Sequence, residues 1–237
     1  MAILNMCTLL TIETSTSVCS CALSRNSEIL INKENHEGQS HASLLGLFVH
    51  EIMEYVRAEE MQLDAIAVSS GPGSYTGLRI GVSEAKGLCY GLGLPLIAIP
   101  TSRLMASMLL DRVGEGELLC PMIDARRMEV YATFYDHSLN VVRETAADIV
   151  DENSYIDLLE KHQIAFFGNG AAKCRPVITH PNARFIDDIH PLALAMVPLA
   201  EEAFRGRHFV DAAYFEPFYL KEFVATVPKN KLIPPKK

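Results

Sequence analysis

Gly-Pro-Gly-Ser-Tyr-Thr-Gly-Leu-Arg-Ile-Gly, at residues 71–81, is the most distinctive stretch of this chain. It follows an apolar run at residues 63–69, which predicts a short buried strand, and it opens a helix predicted for residues 76–92. Backbone amides at a helix N-terminus can hold an anion, so phosphate is one candidate ligand. The stretch has neither a P-loop nor a G-x-G-x-x-G pattern, and the alternative is a tight turn with close backbone approach.

The predicted helix after this turn carries a stripe of small side chains. Gly77, Gly81 and Ala85 are four residues apart and therefore share one helix face. Small residues at this spacing allow another element to approach closely. A glycine inside a helix costs about 0.5–1 kcal/mol relative to alanine, so close contact matters more than helix stability here. Two partners stay open, a neighbouring helix of the same lobe or another subunit.

The first hundred residues read as strands and helices in a clear order. Apolar residues recur at spacings of one, three and four from residue 44 to residue 56, which predicts an amphipathic helix with Ser40 as a fair N-cap. Short β-rich runs separated by turn residues predict the strands. The predicted strands of this half are residues 8–13, 18–23, 29–33, 63–69 and 94–99.

The second half repeats this order. Predicted strands at residues 118–123, 129–135 and 139–143 precede a helix at 153–162. A strand at 165–167, a turn at 168–170 and a helical stretch then follow, with a further helix at 192–205.

Both halves therefore have the order strand–strand–strand–helix–strand–helix. The repeat predicts an α/β fold with two duplicated lobes around a cleft, which is a usual place for a ligand. We expect an N-terminal, partner-binding lobe at residues 1–100 and a C-terminal lobe at 101–237. The last segment, from about residue 214, is expected to pack back on the first lobe or to trail from it.

Composition and charge limit the function classes. The chain has 237 residues, 49% of them hydrophobic, and a formal net charge of −8. This acidic balance argues against a protein that grips nucleic acid alone. The one basic excess is at the end, where residues 218–237 contain five lysines and one glutamate. This stretch reads as a solvated tail or as a contact to RNA or to an acidic partner.

The N-terminus and the cysteines indicate a compartment. The first lysine or arginine is Arg25, which argues against a secretory signal, and no run of 18 apolar residues predicts a membrane span. None of the six cysteines forms a C-x-x-C pair, which favours small buried side chains in a reducing environment. We therefore expect a cytoplasmic protein.

Few residue patterns point to catalysis. His36 and His41 are five residues apart, whereas a zinc pair on one helix face needs a spacing of three or four. Asp124, at a predicted strand end, could orient a water molecule or magnesium, and Arg126 beside it could meet a phosphate. The alternative is a charged hairpin with an internal ion pair. No G-x-S-x-G elbow supports a serine nucleophile.

Five segments, taken in order, resemble the bacterial TsaB family, also called YeaZ. The resemblance spans nearly the whole chain, and the glycine-rich segment is its most specific part. The segments are Ile-Glu-Thr-Ser-Thr at 12–16, residues 71–81 with Ala-Lys-Gly-Leu at 85–88, Asp-Ala-Arg-Arg-Met-Glu-Val-Tyr at 124–131, Gly-Asn-Gly-Ala at 168–171 and Glu-Pro-Phe-Tyr-Leu-Lys at 216–221.

The resemblance implies a two-lobed actin-like ATPase (actin–Hsp70–sugar kinase) fold. It also implies a role in forming N6-threonylcarbamoyladenosine beside the tRNA anticodon. Members of this family are not the catalytic subunit; they bind and activate a TsaD-like catalytic subunit together with a TsaE-like ATPase. The resemblance further implies a homodimer when the chain is alone, and tRNA contact through the complex. It implies no cofactor for this chain, with ATP or ADP and a metal ion on the partner subunits.

The resemblance assigns site residues but no catalytic residue and no metal ligand. The interface with the partner or a second copy would use Gly77, Ile80, Gly81, Glu84, Ala85 and Leu88. A vestigial nucleotide cleft would contain Glu13, Thr14, Ser15, Asp124, Arg126, Gly168 and Gly170.

Two departures argue further against independent chemistry. Many members have Asp where this chain has Glu13, and residues 97–105, where the catalytic relative would supply its histidine pair, contain no histidine. The alternatives are an independent ATP-dependent enzyme of the same fold and a metallopeptidase.

Overall fold

A computed structural model describes residues 7–38 and 41–220. The expected N-cap Ser40 and most of the lysine-rich end lie outside the described residues. The elements of the first half are β1 (Thr8–Glu13), β2 (Cys19–Arg25), β3 (Glu28–Asn35), α1 (His41–Ala58), β4 (Ala65–Ser69), α2 (Tyr75–Leu92) and β5 (Leu96–Ile99).

These five strands form one sheet in the order β3-β2-β1-β4-β5. Strand β1 pairs antiparallel with β2 and parallel with β4, and every residue of β1 and β4 is buried. Fully buried central strands read as continuous apolar runs. Helices α1 and α2 cover the sheet, with Leu45, Ile52 and Val82 in the same core as Ile12 and Val68. The carboxyl end of β1 therefore meets the start of α2.

The second half repeats this architecture. Its elements are α3 (Thr101–Ser107), β6 (Leu118–Asp124), β7 (Glu129–Tyr135), β8 (Val141–Ile149), α4 (Ile156–Leu159), β9 (Ile164–Phe167), α5 (Ala171–Cys174), β10 (Ala183–Ile186) and α6 (Ala193–Arg205). The strands of the second sheet lie in the order β10-β9-β6-β7-β8. Read in reverse, from β8 to β10, this order corresponds strand by strand to β3-β2-β1-β4-β5 of the first sheet. The predicted two-lobed, actin-like α/β fold is therefore confirmed.

Three elements differ from the sequence prediction. Helix α3 and strand β10 were not predicted, and the helix expected at residues 153–162 is the single turn α4. Strand β10 has four residues and pairs only with β9, so its pattern is too short to detect. Helix α4 starts late because Asp151 accepts hydrogen bonds in a preceding turn and Tyr155 has φ +65°.

Helix α6 brings the chain back to the first sheet. The Thr11 hydroxyl donates to the Ala193 carbonyl at 2.8 Å, and the Ala193 amide donates to Ser20 Oγ at 2.9 Å. The Ser27 hydroxyl donates to the Glu201 carboxylate at 2.6 Å. Residues of both sheets share one buried cluster with α3 and α6, so a lobe boundary at residue 100 stays a prediction.

The segment after α6 runs along the first lobe. Val210 forms an antiparallel bridge with Leu96, and the Phe218 amide donates to the Ser70 carbonyl at 2.7 Å. We call residues 210–219 the C-terminal strap. Within the described part of the chain, no helix combines the length and apolar character needed to cross a membrane.

Candidate functional site

A cleft of about 600 Å³ lies between the two lobes. The loop after β1 and the starts of α1 and α2 line it on one side, and the end of β6 lines it on the other. Ser15 and Asp124, both expected from the sequence, face each other across this space. Asn169 and His41 also line the cleft, although sequence reasoning did not assign them to it.

The glycine-rich segment forms a close contact with the loop after β1. A Cβ atom added to Gly73 would overlap the Ser15 carbonyl oxygen, and one added to Gly77 would overlap the Thr14 carbonyl oxygen. The Ser74 amide donates to the Ser15 carbonyl at 2.7 Å, while Ser74 Oγ caps the helix by accepting from the Gly77 amide at 3.2 Å. Of the two interpretations, close backbone approach explains these glycines.

The small-residue stripe of α2 faces the interior of its own lobe. The Thr14 hydroxyl donates to the Gly77 carbonyl at 2.8 Å, and a Cβ atom on Gly81 would overlap Thr14 Oγ1. Gly77, Gly81 and Ala85 are all buried in the single chain. Gly77 and Gly81 make this close contact with the end of β1, and the assignment of the three residues to a partner interface stays a prediction.

Glu13 lies beneath the loop after β1 and does not line the cleft. Its Oε1 accepts hydrogen bonds from both the amide and the hydroxyl of Ser15 at 2.5 Å. Complete burial raises the pKa of Glu13 to about 7, and the hydrogen bonds from Ser15 oppose that rise. The carboxyl group thus holds the loop from inside.

Asp124 forms an ion pair with a lysine of the same chain. The Lys173 ammonium donates to Asp124 Oδ1 and, at 2.7 Å, to the Glu129 carbonyl. The Asp124 amide donates to Asn169 Oδ1 at 2.9 Å. The internal ion pair expected within the hairpin at residues 124–127 was therefore wrong, since the partner of Asp124 is Lys173 from α5.

The other predicted cleft residues, Gly168, Gly170 and Arg126, lie in or next to turns and do not line the cleft. Gly168 has φ +98°, and a Cβ atom there would overlap the Met122 carbonyl oxygen. A Cβ atom on Gly170 would lie 3.0 Å from the Asp124 amide nitrogen. Arg126 is exposed in the β6–β7 turn with φ +72° and does not line the cleft.

The two carboxylates predicted for the cleft are both engaged within the chain. The Lys173 ammonium already neutralises Asp124, and Glu13 is enclosed. His41 Nε2 lies 2.9 Å from the Thr16 carbonyl, a partner that fixes the loop. Within residues 7–38 and 41–220, no three His, Cys, Asp or Glu side chains come together as a metal site.

A second concave surface lies on the outer side of the first lobe. The α1–α2 groove has a volume of about 330 Å³ and is lined by Met53, Arg57, Ser83, Glu84, Gly87, Leu88, Gly91 and Leu92. A Cβ atom on Gly87 or Gly91 would meet no atom within 4 Å. Tyr90, beside the groove, is 92% exposed. Glu84 and Leu88 of the predicted interface thus border open space, whereas Ile80, half-buried on the same helix, lines the cleft between the lobes.

Comparison with known proteins gives consistent matches. The family described as TsaD, tRNA N6-adenosine threonylcarbamoyltransferase, matches residues 28–228. The tRNA threonylcarbamoyladenosine biosynthesis protein TsaB of Haemophilus influenzae is 31% identical, covering 92% of this chain and 94% of that protein. The Escherichia coli K12 protein of the same name is 29% identical over 92% of this chain and 96% of its own length.

A solved structure shows the same architecture. A solved structure of YeaZ from Pseudomonas aeruginosa superimposes with a TM-score of 0.72 at 25% identity. The superposition covers 91% of this chain and 100% of that one.

Proposed function

Because the chain belongs to the TsaB family of tRNA threonylcarbamoyladenosine biosynthesis proteins, we propose that it is a non-catalytic subunit of the complex that makes this modification. Its role is to bind a TsaD-type catalytic subunit and stabilise that subunit's active state. A docked subunit shifts its partner's conformational equilibrium only through contacts that differ between the two states.

The open α1–α2 groove carries this proposal. Its apolar floor, formed by Met53, Leu88 and Leu92, is flanked by the charges of Arg57 and Glu84. Gly87 and Gly91 leave space where a helix of the partner can approach α2 closely. An exposed apolar surface bordered by charges is typical of a protein interface.

The cleft supports a role without catalysis in this chain. Phosphoryl transfer in nucleotide-hydrolysing enzymes needs carboxylates that hold a metal ion and orient the reacting water. Here Asp124 is paired with Lys173, and Glu13 is buried with a raised pKa. We therefore propose that ATP or ADP and the metal ion bind to the partner subunits.

The further partners extend the same proposal. A TsaE-like ATPase joins the pair of subunits, and tRNA is contacted within that complex. In the absence of the catalytic subunit, two copies of this chain associate through the same α1–α2 groove.

Gly87→Leu tests the groove directly. No atom lies within 4 Å of the added Cβ, so the substitution fits the single chain but blocks a close-packed partner helix. We expect association with the TsaD-type subunit to weaken at least tenfold (about 1.4 kcal/mol), with an unchanged or higher Tm. Gly116→Leu, at an equally open glycine of the second lobe, is the matched control. Calorimetric titration measures the association, and modification of tRNA measures its consequence.

Two results would contradict the proposal. One is association of Gly87→Leu with the partner at wild-type affinity. The other is magnesium-dependent ATP hydrolysis by the isolated chain that disappears in Asp124→Ala, which would indicate an independent ATP-dependent enzyme.

A further inference from the structure

A third concave surface lies where the C-terminal strap crosses α2. This strap groove has a volume of about 590 Å³, and its lining includes Tyr75, Arg79, Lys86, Glu216 and Tyr219. It opens on a different side of α2 from the α1–α2 groove, and the two share only Ser83 among their lining residues. Neither the cleft nor the proposed partner groove uses Arg79 or Tyr219.

The strap groove is held open by hydrogen bonds within the chain. The Lys86 ammonium donates to the carbonyls of Ala213 at 3.1 Å and Phe215 at 2.9 Å. The Phe218 amide donates to the Ser70 carbonyl at 2.7 Å, which fixes the other end of the strap. The Lys86 ammonium is therefore engaged in hydrogen bonds within the chain, and the groove does not need a ligand to form.

Aromatic rings form part of this surface. The rings of Tyr75 and Tyr219 lie 4.6 Å apart with an interplanar angle of 35°. Two more exposed rings belong to the strap but lie outside the lining of the groove, Tyr214 with 85% of its surface exposed and Phe218 with 49%. Aromatic rings that face water near a cation form a sequence-tolerant platform for unstacked nucleic-acid bases.

Arg79 supplies the cation. Its side chain is exposed, it lines the groove, and among the described residues it forms no ion pair. A guanidinium group binds phosphate oxygens in a bidentate geometry and also stacks on aromatic faces. Glu216, on the strap side, can accept from the amino groups of a base edge. Beyond Tyr219, the sequence adds five lysines and one glutamate up to residue 237.

We propose that the strap groove binds a nucleotide of single-stranded RNA, with the base against the Tyr75–Tyr219 pair and the phosphate on Arg79. The inference rests on the proposed function and names the surface with which this subunit contacts its RNA substrate. A paired base inside a duplex cannot reach the rings, so the groove selects unpaired nucleotides. An acidic peptide would satisfy Arg79 but would not stack on the Tyr75–Tyr219 pair.

Binding of fluorescent RNA to the full chain, alone and with its TsaD-type partner, tests the proposal. The probes are a single-stranded RNA of about 12 nucleotides, a duplex of the same sequence and an anticodon stem-loop. We expect the single strand and the stem-loop to bind more tightly than the duplex. Arg79→Gln is expected to weaken binding about tenfold and to lower the slope of log Kd against log salt by about 0.7.

Matched variants separate ring stacking and charge from folding. Tyr219→Leu is expected to weaken binding about tenfold, whereas Tyr219→Phe, which keeps the ring, stays within about twofold of the wild type. Arg207→Gln removes the same charge from an exposed arginine after α6 and is expected to leave binding unchanged. Circular dichroism of each variant checks that the substitution has not unfolded the chain.

The outcomes distinguish the competing explanations. Equal losses in Arg79→Gln and Arg207→Gln, or no RNA binding by the wild type in either form, would overturn the proposal. Binding of free ATP or ADP with the same variant pattern, without RNA binding, would assign the groove to a free nucleotide instead. Weakened partner association in Arg79→Gln with unchanged RNA binding would make it a protein interface. If Gly87→Leu alone abolishes partner association, the proposed function stands whatever the RNA result.

Discussion

Glu13 shows how burial can change the use of a carboxyl group at the end of a central strand. Its side chain is fully buried, and its hydrogen bonds hold the amide and hydroxyl of Ser15 in the loop that borders the cleft. Because burial raises its pKa to about 7, the group changes protonation near neutral pH. The carboxyl group of Glu13 therefore stabilises the loop after β1.

This environment predicts a pH dependence of stability. The native pKa of about 7 exceeds the ordinary value of 4.5, so the native state binds more protons between these values and loses stability as pH rises through 7. Glu13→Gln keeps the acceptor oxygen but does not titrate. Between pH 5 and pH 8, its free energy of unfolding should improve relative to the wild type by on the order of 3 kcal/mol. Urea unfolding at both pH values measures this difference.

The control for this prediction is Glu115→Gln, at an exposed carboxylate in a loop of the second lobe. Its unfolding free energy should follow that of the wild type at both pH values. Parallel stability curves for Glu13→Gln and the wild type would show that Glu13 does not titrate in this range.

Sequence reasoning at the residue scale located positions better than partners. The family resemblance implied that Ser15 and Asp124 share one cleft, and both line the cleft between the lobes. Sequence reasoning could not find Lys173, because an ion pair between residues 49 positions apart depends on how α5 is placed against the β6–β7 hairpin. Spacing along the chain carries no signal for such a pair.

Helix α2 shows the same limit at the scale of an element. Its bounds were predicted within one residue, and its small-residue stripe was correctly assigned to a close contact. Periodicity alone could not tell which surface makes that contact, since a buried face and an interface face both favour small side chains. The structure separates the two: Gly77 and Gly81 face β1, and Gly87 and Gly91 face open space.

The two kinds of glycine in α2 should respond differently to a large side chain. Gly81→Arg forces a side chain against the Thr14 hydroxyl and should lower the free energy of unfolding by on the order of 3 kcal/mol. Gly91→Arg, ten residues later on the open face, should fold with wild-type stability. Urea denaturation of both variants checks this. Wild-type stability for Gly81→Arg would instead favour the assignment of Gly81 to a partner interface.

At the scale of the whole molecule, the two lobes are joined by their own side chains. Helix α6 belongs to the second half of the sequence but packs on β1 and β2, where Thr11 and Ser20 hydrogen-bond to Ala193. The duplicated strand order was predictable from repeated patterns. This return of the chain was not, because no local pattern in residues 193–205 specifies which sheet the helix covers.

Thr11→Val tests whether the lobes unfold together. The change keeps the shape but removes the hydroxyl that donates to the buried Ala193 carbonyl, which should cost about 0.5–1.5 kcal/mol. Because both sheets share one core, far-ultraviolet circular dichroism and tyrosine fluorescence should report one common, lowered midpoint. Thr179→Val, at an exposed threonine, is the control. Separate transitions would show that the lobes are independent.

The return of α6 and the strap to the first sheet also sets an order of events during synthesis. Ribosomes add about 5–20 residues per second, so several seconds pass between the emergence of β5 and that of α6. During this time the face of the first sheet that α6 later covers has no partner from its own chain. The protein therefore most needs a chaperone while only its N-terminal half has emerged from the ribosome. Truncation before residue 193 should yield an aggregation-prone product.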